Sequence, residues 1–421
     1  MDSRGVAGAG NDHPWDGTSP VTVSTAARSA PSPIASARLE SIDILRGIVM
    51  VLMAIDHTRD FFTNVRFDPM DPANTYPALF FTRWITHFCA PTFVFLAGTG
   101  AFLYGSRRTP RELARFLWTR GLWLIVLELT VLKFGWSFNL QYSFVPLIVI
   151  WAIGWGMLAL ACLAYLPPRV VGWIGVAIVC VHNLFDGVSP AALGSFGPFW
   201  MVAHVMGGFP VAPGVVVLTA YPILPWTGVL LAGYGFGTFF LCKPEERKRI
   251  FLRLGLALIG AFVAIRALNV YGDPLKWSVQ KNALYTLFSF LNCQKYPPSL
   301  LYVLMTLGPA ILALAFLPEF RGRLAKPFLI FGRVPMFYYV LHIYLIHGLA
   351  ALLATIRYGS APWMFKGLPN TAPGTELPSY YGYGLGTVYL IWIVVLLILY
   401  PLCKWFAGVK QRRRDPWLSY L

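Results

Sequence analysis

Two ionisable side chains, Arg46 and His57, lie eleven positions apart in an apolar stretch that runs from Ser41 to Phe62. If the stretch is helical, eleven residues make about three turns and rise roughly 16 Å, so both side chains lie on one face. Ionisable groups in hydrocarbon are costly and usually line a water-filled cavity or a site. An imidazole suits a general base at working pH, and a guanidinium suits an anionic group such as phosphate. The stretch therefore predicts a helix that carries a base at membrane depth and a cation nearer one surface.

Three carboxylates accompany this pair. Asp56 and Asp60 flank His57, and a carboxylate three residues along the same face can orient an imidazole or raise its basicity. We therefore predict a catalytic role for His57 supported by Asp56 or Asp60, with a histidine that only bonds a neighbouring helix as the structural alternative. Asp43 precedes Arg46 by three positions. Arg46 then either pairs with Asp43 and anchors the helix end, or binds an anionic group that arrives from the cytoplasm.

Further ionisable side chains fall in later apolar runs. Arg83 and His87 lie four positions apart and can face the same cavity, although interfacial anchoring explains Arg83 equally well. Glu128 is a lone carboxylate inside an apolar run, which makes it a functional candidate with a buried hydrogen bond as the structural alternative. His342 and His347 are five positions apart and do not share a helical face, so we expect no joint metal ligation. One of these two histidines can line the cavity.

Two segments place prolines and aromatic residues where apolar runs begin. Trp226 lies in YPILPWTGVLLAGYGFG, and Lys295 and Tyr296 precede the prolines of QKYPPSLLYVLMTLG. Prolines near a helix start are tolerated in membranes where the backbone lines protein or a cavity. We therefore predict that Trp226, Lys295 and Tyr296 contact a substrate, and that the glycines of the first segment permit close helix packing.

The composition is that of a polytopic helical membrane protein. Of 421 residues, 57% are hydrophobic and only 12% are charged, and the mean hydropathy is +0.60. Such a chain has too little polar surface for a soluble fold. The net charge of +16 comes largely from Lys and Arg in short loops on alternate sides of the apolar runs, a pattern typical of membrane topology rather than of nucleic-acid binding. Six cysteines without CxxC or Cys/His spacing indicate neither a disulfide framework nor a metal site.

The lengths of the apolar runs predict an all-α protein with about ten transmembrane helices and both termini in the cytoplasm. The predicted domains are a disordered cytoplasmic tail at 1–38, a transmembrane domain at 39–408 and a basic cytoplasmic tail at 409–421. The predicted spans lie near residues 43–63, 83–105, 112–134, 143–166, 169–187, 216–242, 249–271, 298–318, 327–356 and 384–408.

Several of these motifs, taken in order, resemble a known family. Arg46 and His57 form Arg-x10-His on a first span that opens with D-x-x-R-G, which resembles the signature of the transmembrane acyltransferase superfamily, including the acyltransferase-3 proteins. Four segments together are similar to bacterial members of the heparan-α-glucosaminide N-acetyltransferase type: RLESIDILRGIVMVLMAIDH, HFCAPTFVFLAG, YPILPWTGVLLAGYGFG and KYPPSLLYVLMTLG. The resemblance covers roughly residues 38 to 408.

The resemblance implies an acyl-CoA-dependent acetyltransferase, a multi-pass protein of the bacterial inner membrane that needs no metal. It would move an acetyl group from cytoplasmic acetyl-CoA to a hydroxyl or amine of a carbohydrate or glycolipid. The family's catalytic histidine maps onto His57, and its arginine on the acyl-CoA side maps onto Arg46. In the lysosomal relatives the active histidine follows the first span; residues 58–86 contain no histidine here, so His57 takes that role, with His87 as the nearby alternative.

A transporter or permease for a sugar-like or anionic solute is the alternative function, with the intramembrane ionisable residues as its pathway. The lack of a visible internal repeat counts against that alternative. Direct transfer in a ternary complex and transfer through an acyl-histidine are both open. The implied partners are acyl-CoA, the acceptor and the lipid bilayer, without nucleic acid, and a homo-oligomer is left open.

Overall fold

The computed structural model describes residues 33–366, 376–413, 415 and 418, with backbone only for 33–39. Most of the two predicted tails therefore lies outside the described residues. The first helix begins at Pro33, ten residues before the predicted span, and the last one continues to Arg412. The described residues include fifteen α-helices. They are α1 (Pro33–Phe62), α2 (Pro77–Thr86), α3 (Cys89–Gly105), α4 (Pro110–Leu127), α5 (Lys133–Ser137), α6 (Val149–Leu163), α7 (Pro168–Val181), α8 (Gly197–Ala203), α9 (Ile223–Phe236), α10 (Pro244–Leu268), α11 (Ala283–Leu291), α12 (Leu300–Leu314), α13 (Ala325–Arg333), α14 (Pro335–Tyr358) and α15 (Leu385–Arg412).

Six helical stretches in the described residues are long and apolar enough to cross a membrane. Helix α1 does not qualify because it carries too many charged residues, and α6 and α12 are apolar but shorter. The protein is thus a helical multi-pass membrane protein, whereas the count of ten spans and the cytoplasmic termini stay predictions. The six stretches are Pro77–Gly105, Pro168–Phe185, Ile223–Leu241, Pro244–Leu268, Pro335–Tyr358 and Leu385–Arg412.

A small sheet replaces the start of two predicted helices. Strands β1 (Phe144–Leu147), β2 (Gly207–Ala212) and β3 (Val215–Thr219) pair in the order β1-β3-β2, parallel between β1 and β3 and antiparallel between β2 and β3. The predicted spans at 143–166 and 216–242 are wrong over these first residues. The β-branched run Val215–Val217 favours a strand once a partner strand is beside it. The helices α6 and α9 begin only after the strands end.

Helix α1 lies at the centre of the bundle and packs against α13, α14 and α15 as well as α2 and α3. Two glycines bring α1 and α13 into backbone contact: a Cβ at Gly47 would lie 1.9 Å from the Phe328 carbonyl oxygen, and one at Gly332 would lie 1.8 Å from the Asp43 carbonyl oxygen. Helices α3 and α9 approach in the same way, since a Cβ at Gly233 would lie 2.0 Å from the Phe95 carbonyl oxygen. The prediction that glycines of the 221–237 segment permit close packing is confirmed.

Candidate functional site

A cavity of about 610 Å³ lies between the middle of α1 and the loops at one end of the bundle. Its deep wall is formed by helical residues such as Met53, Cys89 and Phe93, and its outer wall by loop and strand residues between Thr63 and Pro69, between Asn139 and Pro146, and at Lys366. The cavity brings together six of the predicted site residues: Asp56, His57, Asp60, Arg83, Lys295 and Tyr296. The guanidinium of Arg59, which was not predicted as a site residue, lies beside them in the lining.

His57 is half-buried in the cavity wall and bonds to a histidine of another helix. Its Nδ1 lies 2.8 Å from Nε2 of His342 on α14, and the two rings are stacked with centroids 5.0 Å apart. Nδ1 of His342 lies in turn 3.0 Å from the carbonyl oxygen of Tyr338, one turn earlier on α14. The His57 and Trp136 rings pack in a T-shaped arrangement with their centroids 4.9 Å apart. Both the hydrogen bond and the ring contacts hold the imidazole in one orientation.

The hydrogen-bond chain assigns the protons on both imidazoles. A carbonyl oxygen only accepts, so Nδ1 of His342 carries a hydrogen and donates it to Tyr338. In a neutral His342 the Nε2 atom is then bare and accepts the hydrogen on Nδ1 of His57. A neutral His57 consequently has its lone pair on Nε2. No described residue forms a hydrogen bond with this nitrogen. The structure thus presents a bare imidazole nitrogen at a cavity wall, which is the form that a general base needs.

The carboxylates predicted to support His57 have other partners. Asp56 accepts from Arg83 NH1 at 3.0 and 3.2 Å and from Arg59 NH2 at 2.9 Å, and Asp60 accepts from Arg59 NH2 at 2.7 Å. The expectation that Asp56 or Asp60 orients the imidazole is not met, because the adjacent guanidiniums take up both carboxylates. The hydrogen bond that orients the His57 imidazole is formed with His342 instead. The two carboxylates and the two guanidiniums balance each other in charge and form one wall of the cavity.

Lys295 adds one positive charge beyond the balanced set of two carboxylates and two guanidiniums. Its side chain is buried in the cavity lining, and its Nζ lies 5.0 Å from the ring centroid of Tyr296. Within the described part of the chain no carboxylate oxygen comes within salt-bridge distance of Lys295. Tyr296 packs against Tyr221, with centroids 5.4 Å apart. The cavity therefore favours a group that carries or develops negative charge.

Arg46 and Asp43 lie outside the cavity. NH1 of Arg46 donates to Asp43 Oδ1 at 3.0 Å and to the carbonyl oxygen of Gly332 at 3.1 Å. This is the structural alternative stated for the pair, an ion pair that anchors the helix end. Arg46 and His57 are thus on one helix but in two different environments, because α13 covers the end of α1 that carries Arg46.

Three other predicted residues are buried away from the cavity. His87 is enclosed, and its ring lies 5.3 Å from that of Tyr302. Glu128 lies in a π-helical turn between α4 and α5 and accepts from the backbone nitrogen of Trp151 at 3.1 Å. Trp226 is fully buried and packs against Tyr221 at 4.9 Å. Since none of the three lines the cavity, a direct substrate contact by His87, Glu128 or Trp226 has no support in the described structure.

Sequence reasoning missed Trp136 and did not identify the role of His342, and both residues define the site. Trp136 forms the surface on which His57 rests, and His342 supplies its hydrogen-bond acceptor. The sequence carries His342 in an apolar run, but the partner helix cannot be identified without the packing of α14 on α1. The prediction that one of the α14 histidines lines the cavity is wrong, because neither of them is among the lining residues. His342 lies behind His57, and His347 bonds the carbonyl oxygens of Gly135 and Met364.

The fold and site define a multi-pass membrane protein whose cavity has His57, bonded through Nδ1 to His342, in its wall. The family model described as heparan-alpha-glucosaminide N-acetyltransferase, catalytic, matches residues 38–272. Because the match covers more than half of the chain, the protein belongs to this family of membrane acetyltransferases. The family resemblance inferred from the motifs is confirmed over that range, which contains His57 and Trp136 but ends before α14. Among curated proteins none matches this chain.

Proposed function

We propose that this protein transfers an acetyl group from acetyl-CoA to a hydroxyl or amine of a carbohydrate or glycolipid, with His57 as the general base. The observation that carries the proposal is the bare Nε2 of His57 at the wall of the cavity, fixed by His342 and Trp136. Membership in an acetyltransferase family supplies the reaction class.

The reaction needs one proton acceptor and one stabiliser of negative charge. Nε2 of His57 removes the proton from the acceptor hydroxyl or amine as its oxygen or nitrogen attacks the thioester carbonyl. A new bond forms to the carbonyl carbon, and its oxygen becomes negative, where the charge of Lys295 stabilises it. The tetrahedral adduct then breaks its carbon–sulfur bond, and the CoA thiolate leaves with the proton that His57 holds. Proton and charge balance within one cycle, and His57 returns to the neutral form.

The lining of the cavity suits a sugar-like acceptor. Aromatic side chains of Trp136, Tyr221, Tyr296 and Tyr339 provide flat apolar surfaces, and the polar residues Gln141 and Ser143 also line the cavity. A pyranose ring presents apolar C–H faces and a rim of hydroxyls, so aromatic faces with interspersed polar groups match it. We propose that the acceptor enters at the loop end of the cavity.

The donor is proposed to approach from the Arg46 end of α1, where its phosphates meet that guanidinium. Roughly 16 Å of helix separates Arg46 from His57, a distance that an extended thioester arm has to bridge. Met50 and Met53 are buried between the two positions, and flexible methionine side chains can move aside more readily than branched ones. Asp43, which already pairs with Arg46, would keep the guanidinium in place.

The test is turnover of radiolabelled acetyl-CoA by purified protein in detergent, with methyl α-D-glucosaminide as the acceptor probe. His57→Gln retains the approximate size of the side chain and removes the base, so we expect turnover to fall by about 10²- to 10⁴-fold while the protein stays monodisperse. Asp71→Asn, in a loop outside the cavity, is the matched control and keeps full activity. Undiminished turnover in His57→Gln rejects the assignment. Solute uptake into vesicles without CoA release favours the transporter alternative.

The same label separates the two chemical routes. If Nε2 of His57 attacks the thioester itself, incubation without acceptor leaves labelled acetyl on the protein and releases one CoA per active chain. We propose direct transfer as the simpler route, which leaves no label on the denatured protein. Label on wild type that His57→Gln lacks establishes the acyl-histidine route.

A further inference from the structure

A second group of ionisable residues lies outside the cavity, where α7 and α8 end. His182 follows the last residue of α7, Asp186 comes four positions later, and His204 follows the last residue of α8. One potential ligand atom from each of the three lies within 4.8 Å of the others. His182 and His204 are buried, and Asp186 is partly buried. The proposed acetyl transfer uses none of them.

The spacing of these atoms fits a single small cation. Nδ1 of His182 lies 3.3 Å from Nε2 of His204, and Oδ1 of Asp186 lies 3.9 Å from the same Nε2. Two nitrogens bound to one tetrahedral zinc at about 2.0–2.1 Å are about 3.3 Å apart. The histidine pair therefore already has the separation that a shared ion imposes, and a carboxylate oxygen of Asp186 lies within 4.8 Å of both histidine ligand atoms as a third potential ligand.

Hydrogen bonds alone leave this group incompletely paired. Nε2 of His204 lies 2.9 Å from the carbonyl oxygen of His182, which can only accept, so the hydrogen on Nε2 is directed there. Oδ1 of Asp186 and Nδ1 of His204 are then buried without a hydrogen-bond partner among the described residues. Buried polar atoms without partners are rare and unfavourable. A cation between the three side chains would pair with the Asp186 oxygen.

The surroundings also hold the ligands in place. Asn183 donates to Oδ2 of Asp186 at 2.7 Å, which turns Oδ1 towards the histidines, and Trp200 stacks on the His204 ring with centroids 4.8 Å apart. Hydrogen bonds and packing of this kind orient ligands in known metal sites. Oδ1 of Asn183 accepts from the backbone nitrogen of Leu300, so the group is fixed to the start of α12.

We propose that His182, Asp186 and His204 bind one divalent transition-metal ion, with Zn²⁺ as the best match for two imidazoles and a carboxylate. Both histidines bind as neutral imidazoles: the hydrogen on Nε2 of His204 moves to Nδ1 when the ion enters, which leaves the Nε2 lone pair for the metal. The role is structural: the ion ties the ends of α7 and α8 to α12. Met206, two residues after His204, lines the cavity, so the ion also fixes one part of the cavity wall. No metal site is predicted from the sequence because His182 and His204 are 22 positions apart.

The test is metal content and metal-dependent stability of the full chain in detergent, neither of which depends on acetyl transfer. We expect about one zinc per chain after purification without chelators, and a Tm that falls on EDTA treatment and recovers with Zn²⁺. Co²⁺ added to the stripped protein should give the visible absorption of a low-symmetry site with nitrogen ligands. Asp186→Asn and His204→Gln should weaken Zn²⁺ binding by at least about 100-fold, since even residues that only orient ligands account for about 10–100-fold. Asp71→Asn, an acid in another loop, is the matched control and binds as wild type.

Two results overturn the proposal. One is wild-type protein without stoichiometric zinc, whose Tm does not respond to Zn²⁺ after EDTA treatment. The other is Zn²⁺ binding that Asp186→Asn and His204→Gln leave unchanged, which assigns the ion to an adventitious site. If either variant fails to fold, the EDTA and Zn²⁺ cycle on wild type decides, because it requires no substitution.

Discussion

The hydrogen bond between His57 and His342 predicts that activity depends on a residue outside the cavity. Replacing His342 with Phe keeps an aromatic ring that can stack on His57 and Tyr338 but removes the acceptor for the His57 Nδ1 hydrogen. A buried donor that loses its partner costs about 1–3 kcal/mol, which the imidazole avoids by moving its hydrogen to Nε2. That tautomer has no lone pair towards the cavity. Since about 1.4 kcal/mol is tenfold in rate, we expect kcat to fall by about 5- to 150-fold.

The assay is a double-mutant cycle on acetyl-CoA turnover. His342→Phe is measured in the wild-type background and in His57→Gln, and His342→Gln, whose amide oxygen can accept a hydrogen bond, is measured beside it. We expect His342→Gln to retain more activity than His342→Phe, the KM for acetyl-CoA to stay unchanged, and His342→Phe to have little further effect in His57→Gln. If His342→Phe lowers kcat by the same factor in both backgrounds, His342 acts through general stability and the reasoning is wrong.

The other predictions concern charge, donor binding and packing. Lys295→Met should lower kcat by about 10²- to 10³-fold with protein yield unchanged, because it removes the charge that stabilises the tetrahedral adduct; a kcat within twofold contradicts this. Arg46→Ala should raise the KM for acetyl-CoA by about tenfold, the effect of one charge-assisted phosphate contact, whereas Arg321→Ala on an exposed loop should leave KM unchanged. An equal KM in both variants argues against donor entry at this end. Gly47→Ala should destabilise the protein by about 1–3 kcal/mol or more, seen as a lower Tm, because its Cβ meets the Phe328 backbone, while Gly348→Ala has open space and should not. Equal Tm values would refute close contact between α1 and α13.

Much of the helical fold was predictable because apolar runs of helix length are a local property of the sequence. His57 was predictable for the same reason, since an imidazole inside such a run is conspicuous. The strands at 144–147 and 215–219 were not, because short apolar segments fit either a buried helix or a strand until a partner is known. The partner of His57 is 285 residues away and depends on how α14 packs on α1.

The carboxylates show the limit of reasoning from helical spacing alone. Asp56 and Asp60 are near His57 in sequence, yet Arg59 forms ion pairs with both carboxylates and Arg83 forms one with Asp56. Arg59 was visible in the sequence next to both acids, so its pairing with them could have been weighed. The contact from Arg83 comes from a separate helix, and only the packing of α2 on α1 reveals it.

The end of the hydrogen-bond chain from His57 to His342 also limits where a proton on His57 can go. A proton taken up by His57 can move along Nδ1 to His342, but the next group is the Tyr338 carbonyl, which has no site to carry a proton onward. This chain of hydrogen bonds therefore cannot carry a proton beyond His342. In the proposed mechanism a proton taken up by His57 therefore leaves by Nε2, the same nitrogen through which it arrived.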